Sequence, residues 1–253
     1  MKKMMMKCVV LCAAFLLLPH VSSAMGLEAA LGVWSQAPSG NVSDGGVNLN
    51  LKDDLNFGST TKVFGRLKVE TPSLLPNVYF LATPMSFNGA GSKNVDFVFG
   101  NQTFSRAVPF TSHLTLNHYD AALYYGLPFI KTATLGILNI DVGVDARLVD
   151  LKASIVQTTT GLSQTRSFTR PLPMGYVGVQ VTPVTNFSLE GEVRGVVYSD
   201  EHYFDFIGRA KIKIVGPAFI AAGYRYEKLH LTESGVHADT GFGGPFGEIG
   251  IDL

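Results

Sequence analysis

The feature that most constrains this chain is a period of two in its apolar residues beyond position 24. Gly26-Leu27-Glu28-Ala29-Ala30-Leu31-Gly32-Val33 sets Leu27, Ala29, Leu31 and Val33 on one face and Glu28 on the other. Phe187 to Val197 repeats the device with Glu190, Glu192 and Arg194 on the second face, and Phe204 to Ile214 repeats it with Asp205, Arg209, Lys211 and Lys213. A period of two means β-strands whose faces have different surroundings. A charged face that recurs strand after strand behind an export signal predicts a closed barrel in a bacterial outer membrane.

The first 24 residues read as a cleaved signal peptide rather than part of the fold. Lys2, Lys3 and Lys7 form a basic start, Cys8 to Leu18 an apolar core of eleven residues, and Ser22-Ser23-Ala24 a small-residue cleavage site. Eleven residues span roughly 16 Å as a helix, too short for a hydrocarbon core of ~30 Å. Leu11 directly before Cys12 is too bulky for the usual lipidation motif. The domain division is therefore signal 1–24 and barrel 25–253.

Both cysteines leave with the signal, so disulfides are excluded. Three lysines leave too, and the remainder holds 17 basic against 20 acidic residues, a net charge near −3 that argues against a nucleic-acid partner. No later stretch approaches eighteen uninterrupted apolar residues, which removes the helical membrane class.

The fold class expected is all-β, an antiparallel up-and-down transmembrane barrel of about ten strands, eight being the alternative count. The strands read as 26–36, 61–70, 77–87, 112–126, 136–150, 168–181, 186–198, 202–214, 218–231 and 244–253, each long enough to cross a bilayer at a tilt. Connections at 71–76, 127–135, 182–185 and 215–217 are short. Those at 37–60, 88–111, 151–167 and 232–243 are longer and polar, as outer loops are. Ser199-Asp200-Glu201 is short where a long loop is expected. Val95-Asp96-Phe97-Val98-Phe99 predicts a hairpin above the membrane, and Leu51, Leu55 and Phe57 an amphipathic helical turn in the first outer loop. Tyr119, Tyr124, Tyr125, Phe129, Tyr224 and Tyr226 near strand ends suit a membrane interface, where a ring is apolar and its hydroxyl wet.

If the apolar face meets lipid, the other face points inward. It carries Arg66, Lys68, Glu70, Asp141, Asp145, Arg147, Glu190, Glu192, Arg194, Asp205, Arg209, Lys211, Lys213, Arg225, Glu227, Glu248 and Asp252. An Arg or Lys facing lipid at the midplane costs ~2–4 kcal/mol, which eight basic groups together could not bear. Inside a narrow barrel these charges should pair. Two roles follow: a stapled interior with a structural or surface function, or a narrow passage for small solutes. Ten strands enclose little more room than eight, so a wide pore is excluded.

The alternative is an enzyme at the outer rim, lipid-modifying or hydrolytic, built on Ser199-Asp200-Glu201-His202 or on His230 with Glu233 and Ser234. Adjacent strand residues point to opposite faces, so adjacency is no evidence for a triad, and the expectation is no catalytic residue. A soluble barrel with lipid inside is a third class, which would require the opposite facing of every strand. No metal or cofactor is expected. His113 and His118 fall on opposite faces; His230, His237 and Asp239 have no imposed ligand geometry. Gly241 to Gly247 is glycine-rich but leads into a strand, not a helix, so it is no phosphate loop.

Five short motifs add a resemblance. Gly26-Leu27-Glu28-Ala29 to Trp34, Leu51-Lys52-Asp53-Asp54-Leu55-Asn56-Phe57, Leu74-Leu75-Pro76-Asn77-Val78, Asp120-Ala121-Ala122-Leu123-Tyr124-Tyr125 and Gly244-Pro245-Phe246 are spread over the chain. With the signal and the hairpin rhythm, they resemble a family of small Gram-negative outer-membrane β-barrel proteins of unassigned function. The resemblance implies an integral outer-membrane, porin-like barrel, with lipid and the outer-membrane assembly machinery as partners, and brings no catalytic residues. Such barrels generally end in an aromatic residue; here Leu253 stands in that place, after Ile249 and Ile251 outward and Glu248 and Asp252 inward. A monomer is expected.

Overall fold

A computed structural model describes residues 25–44, 47–72, 75–233 and 236–253. The expected signal peptide, Leu74 and Ser234 lie outside the described residues. The strands are β1 (Gly26–Asp44), β2 (Asn48–Asn50), β3 (Thr60–Glu70), β4 (Asn77–Thr83), β5 (Ser86–Gly91), β6 (Phe97–Phe99), β7 (Gln102–Phe104), β8 (Phe110–Gly126), β9 (Leu138–Gln157), β10 (Leu162–Val184), β11 (Phe187–Tyr198), β12 (Glu201–Val215), β13 (Ala218–Glu233) and β14 (Val236–Asp252). One short helix, α1 (Pro128–Ala133), lies between β8 and β9.

Every pairing is antiparallel, neighbours in sequence are neighbours in space, and β14 returns to β1. The sheet is therefore closed and has no free edge along its main path. β4 and β5 keep one register on β8, from Asn77↔Tyr124 to Gly91↔Phe110, and form a single wall strand interrupted at Pro84-Met85. There the Asn117 side chain accepts the Met85 N–H at 3.0 Å, supplying a partner that the ladder does not. The wall is thus ten strands, the count expected from the alternation.

The alternation has its physical counterpart in the facing of side chains. Leu31, Ile249, Ile220 and Ile212 lie directly opposite one another across β1, β14, β13 and β12, all pointing out. Leu31 is 64 % exposed. Val144, Val177, Leu189 and Phe206 continue this apolar belt along β9 to β12. One residue along from the first row, Glu248 and Lys211 point in and are buried. The facing required for a soluble barrel, charges out and apolar residues in, is the reverse of what the strands adopt in this part of the wall.

Tyr119, Tyr125, Tyr224 and Tyr226 point outward, while Tyr124, between two outward neighbours, is buried inside. Tyr224 and Tyr226 lie over Gly243 and Gly241, where an added Cβ would come within 3.0 and 2.8 Å of their hydroxyls. The glycine run at 241–247 is therefore strand that leaves room for two cross-strand tyrosines.

At one end the barrel carries its first and last strand residues and tight connections. At the other, parts of three stretches read as loops are strand instead: 37–44 prolongs β1, 151–157 and 162–167 prolong β9 and β10, and 236–243 prolongs β14. Both faces of β10 are exposed over 165–170, so no alternation marks it as strand. Residues 51–54 form one hydrogen-bonded turn rather than a helix, capped by Asn50, whose Oδ1 accepts the N–H groups of Lys52 and Asp53 at 2.9 Å. β6 and β7 make the expected hairpin as a separate two-stranded sheet.

Candidate functional site

The lumen is filled in two layers. The layer towards the chain termini is built from strand-borne charges. Three cross-strand pairs have opposite sign: Glu190 faces Arg209, Arg194 faces Asp205, and Asp120 faces Arg147; Asp205 and Glu227 face each other with like charge and are bridged by Arg225. Such placement is the sheet's own route to ion pairs.

Longer contacts then span the lumen. Lys68 on β3 donates to Glu192 on β11 at 3.0 Å. Arg225 on β13 donates to Thr83 on β4 at 2.8 Å. Arg66 binds Glu28 and Glu248, and Arg209 joins Glu190, Glu192 and Glu248. Lys211 gathers Glu28, Glu190 and Asp252, with Lys213 also on Asp252. Arg147 donates to Asp120 at 2.6 Å and to Asp205 at 2.5 Å.

Aromatic rings complete the packing. The Arg225 guanidinium lies 4.8 Å from the Trp34 ring centre, Arg147 4.8 Å from Tyr203, and Arg194 4.7 Å from Tyr79 and 5.1 Å from Tyr176. A guanidinium can hydrogen-bond in its plane and stack on its face, so one residue fills space and satisfies charge.

Of the charges expected inside, Arg66, Asp145, Arg147, Glu190, Glu192, Arg194, Asp205, Arg209, Lys211, Arg225, Glu227 and Glu248 are buried. Lys68, Asp141, Lys213 and Asp252 are half-buried, and Glu70, at the end of β3, is exposed. Arg194 is the cation beside Asp145, at 4.0 Å.

His118 and Asp120 belong to the same network and were missed. On β8 they follow inward Leu114 and Leu116, and the outward face there holds Thr115, Asn117 and Tyr119, so the two faces are equally mixed. His118, Asp205 and Glu227 place donor atoms within 4.8 Å of one another, a possible metal set. A cation is already there: Arg225 Nη2 lies 3.0 Å from His118 Nε2, 2.7 Å from Asp205 Oδ2 and 2.8 Å from Glu227 Oε1. The guanidinium stands where a metal ion would.

The second layer, towards the longer loops, is apolar and comes largely from the connections between the ten wall strands, β2 and the β6–β7 hairpin among them. Leu49, Leu51, Leu55 and Phe57 turn into the barrel mouth and are buried with Phe87, Phe97, Phe104, Phe110 and Phe242. The loop backbone lies so close to β5 that a Cβ on Gly89 or Gly91 would sit 1.9 Å from the carbonyl oxygens of Leu55 and Asp54. The β6–β7 hairpin is tied to the rim by Gly100 N–H on Asp44 at 2.6 Å and by Gln157, which donates to the Ser105 and Val108 carbonyls.

Beside these side chains a cavity of about 340 Å³ remains, lined mainly by aliphatic groups of β8, β9, β13 and the loop. Leu51, Leu55 and Phe57 were legible as an apolar set, but nothing in the sequence says that they face the lumen.

At the rim, the His202 and His230 rings stack with centres 5.2 Å apart on the outward face. Asp239 takes a salt bridge from Lys228, and His237 bonds Thr232. Among the described residues no serine hydroxyl is hydrogen-bonded to a histidine ring.

No family model matches the chain, and no curated protein does. Solved structures do. Ail, the attachment invasion locus protein of Yersinia pestis, in complex with a heparin analogue, is 13 % identical over 91 % of this chain and 99 % of its own, with a TM-score of 0.41. The translocator domain of the autotransporter NalP from Neisseria meningitidis is 13 % identical, covering 98 % and 94 %, at 0.43. The toluene transporter TodX of P. putida is 9 % identical, covering 92 % and 90 %, at 0.29. These are outer-membrane barrels. Scores this low carry no argument about role, and the barrel stands on its own strand pairing.

Proposed function

We propose that the protein is an integral outer-membrane barrel, exported by a cleaved signal and acting as a monomer, whose lumen is closed to ions. Its role is structural or at the cell surface rather than catalytic. Its partners are the surrounding lipid and the outer-membrane assembly machinery, with no nucleic acid.

The observation that supports this most is the arginine bridge across the lumen. Arg225 holds Asp205, Glu227, His118 and Thr83, on three other strands besides its own, with all five groups buried. A conducting path would have to part contacts in which charged groups have no water to turn to, and breaking one partner of a buried pair costs ~3–5 kcal/mol. The outward belt supports the membrane placement, since an apolar surface of this extent around a closed sheet needs lipid or detergent to cover it.

Planar-bilayer recording of protein that shows heat-modifiable gel migration tests the closed lumen. We expect no discrete current steps. Steady steps would overturn it in favour of a narrow passage for small solutes. Protein that stays soluble without detergent would overturn the membrane placement itself.

The rim offers little to a hydrolytic reading. An acyl-transfer site needs a nucleophile and a base within ~2.6–3.2 Å. His202 instead stacks on His230, and Ser199 sits in a left-handed turn position at φ 56°.

A further inference from the structure

The wall beside the apolar cavity is incomplete. β10 and β11 pair from Val184↔Phe187 up to Gly175↔Gly195 and no further, although β10 continues to Leu162 and β11 to Tyr198. Pro171 and Pro173, which have no N–H to give, stand where this pairing stops. β10 remains paired to β9 along its length, so it stays upright while its other side is uncovered.

The β11–β12 hairpin also turns early, at Ser199-Asp200, whereas β13 continues to Glu233. Beside the upper half of β10, which no strand covers on this side, the wall has a notch. The notch is flanked by apolar outward residues, Val177 on β10 and Val197 on β11, 44 % and 63 % exposed.

The cavity lies at the level of this notch. Leu151 and Ala153 line one side, Leu229 and Leu231 the other, and Leu55 and Phe57 a third. Along β10, at the open side, the lining changes character: Arg166, Phe168 and Arg170 contribute two guanidiniums. Arg166 lies 3.7 Å from Asp44 and is itself nearly half exposed. A cavity of this volume with an apolar body and a few polar groups at its mouth has the form of a small-molecule site.

We infer that this chamber holds a single long acyl chain, its tail among Leu55, Leu151 and Leu229 and its anionic end at Arg166 and Arg170. The notch begins at the upper edge of the belt, just above the Val177↔Val193 pair, and gives a membrane lipid a sideways route in from that edge; a free fatty acid could bring the same chemistry from outside. The membrane source rests on the placement proposed above, whereas the chamber itself does not.

Photo-crosslinking separates these. Protein purified in detergent is exposed to palmitic acid carrying a diazirine on its tail, and the labelled peptides are mapped by mass spectrometry. Label at Leu151, Phe168 or Leu229, displaced by unlabelled palmitate, is expected. Leu151→Trp with Leu229→Trp should lower labelling at least tenfold while heat-modifiable migration persists. Ala153→Phe is the single filling variant should the pair fail to fold, and Arg166→Gln should weaken labelling several-fold.

Label confined to outward Leu148 and Val177, or unaffected by filling, would overturn the chamber. In vesicles, phosphatidylglycerol with the same tail label should reach the same residues. Lipid label that stays on the belt while the free acid still enters would overturn the membrane as the source. Because the detergent arm needs no bilayer, its failure is distinct from failure of the membrane placement or the closed lumen.

Discussion

The lumen near the chain termini and the lumen near the long loops are both filled, but by opposite chemistry from opposite sources. In the first, Glu190, Arg209, Asp205 and Arg225 are carried by the wall strands and close the space by pairing across it. In the second, Leu51, Leu55, Phe57 and Phe97 are carried by connections and close the space by burial. The first layer sits inside the apolar belt, where an unpaired charge has nowhere to go, so its geometry is held by every partner at once. The second requires only that apolar surface be removed from water, and it leaves a cavity where the fit is incomplete.

The sharpest way to break this comparison is at Asp205, which accepts from both Arg147 and Arg225. Asp205→Ala removes the carboxylate that two buried guanidiniums share, leaving Arg147 with Asp120 and Arg225 with Glu227, and should cost ~3–5 kcal/mol. Urea unfolding in lipid vesicles, followed by heat-modifiable migration, reads the loss. A change under 1 kcal/mol would mean that water already reaches the network, and the two layers would not differ as described.

The corresponding test of the apolar layer is Leu55→Ala, expected to cost ~2–3 kcal/mol. The loss should be local. Hydrogen exchange should quicken at the amides of 47–57, while the unfolding midpoint of the barrel stays near that of the parent protein. A midpoint that falls as far as for Asp205→Ala would show that the loop layer and the barrel unfold as one unit.

The same contrast explains what was legible in the sequence. Within the belt one face must be apolar and the other polar, so alternation exposes strands, register and inward charges together; Phe187 to Val197 shows all three. Beyond the belt the outer face of a strand meets water and needs no apolar residues. Ser163 to Arg170 is therefore strand without alternation, and reads as loop. His118 and Asp120 lie within the charged layer and escaped for a different reason, since β8 mixes polar and apolar residues on both faces there. The apolar layer was legible only in kind. Leu51, Leu55 and Phe57 show that something must be covered, but a connection has no register to say what covers it. The notch was less visible still, because it arises from pairing that stops.

Gly89 sharpens the comparison from the backbone side. Its missing Cβ is what lets the Leu55 carbonyl approach β5, so Gly89→Ala should displace the loop and cost ~1–3 kcal/mol. Gly191, in the wall at the level of the charged layer, has nothing within 4 Å of an added Cβ, and Gly191→Ala should be nearly neutral. Equal losses at both sites would mean that strand propensity, not the loop's approach, decides the effect.

The smallest effect belongs to the rim pair of Lys228 and Asp239, which resembles the interior pairs only in name. Its side chains are 33 % and 55 % exposed, so water screens the attraction and both charges remain solvated when parted. Lys228→Ala should change stability by no more than ~0.5 kcal/mol. His202→Ala beside it should leave the unfolding midpoint and any lipid-modifying activity detected in vesicles unchanged. If His202→Ala abolished such an activity, the rim would be a catalytic site and the proposed non-catalytic role would fall. If Lys228→Ala instead cost as much as Asp205→Ala, exposure would not be what separates the rim from the lumen. The ion pairs would then have to be ranked by their reach around the barrel, where Lys228 joins adjacent strands and Arg225 joins opposite walls.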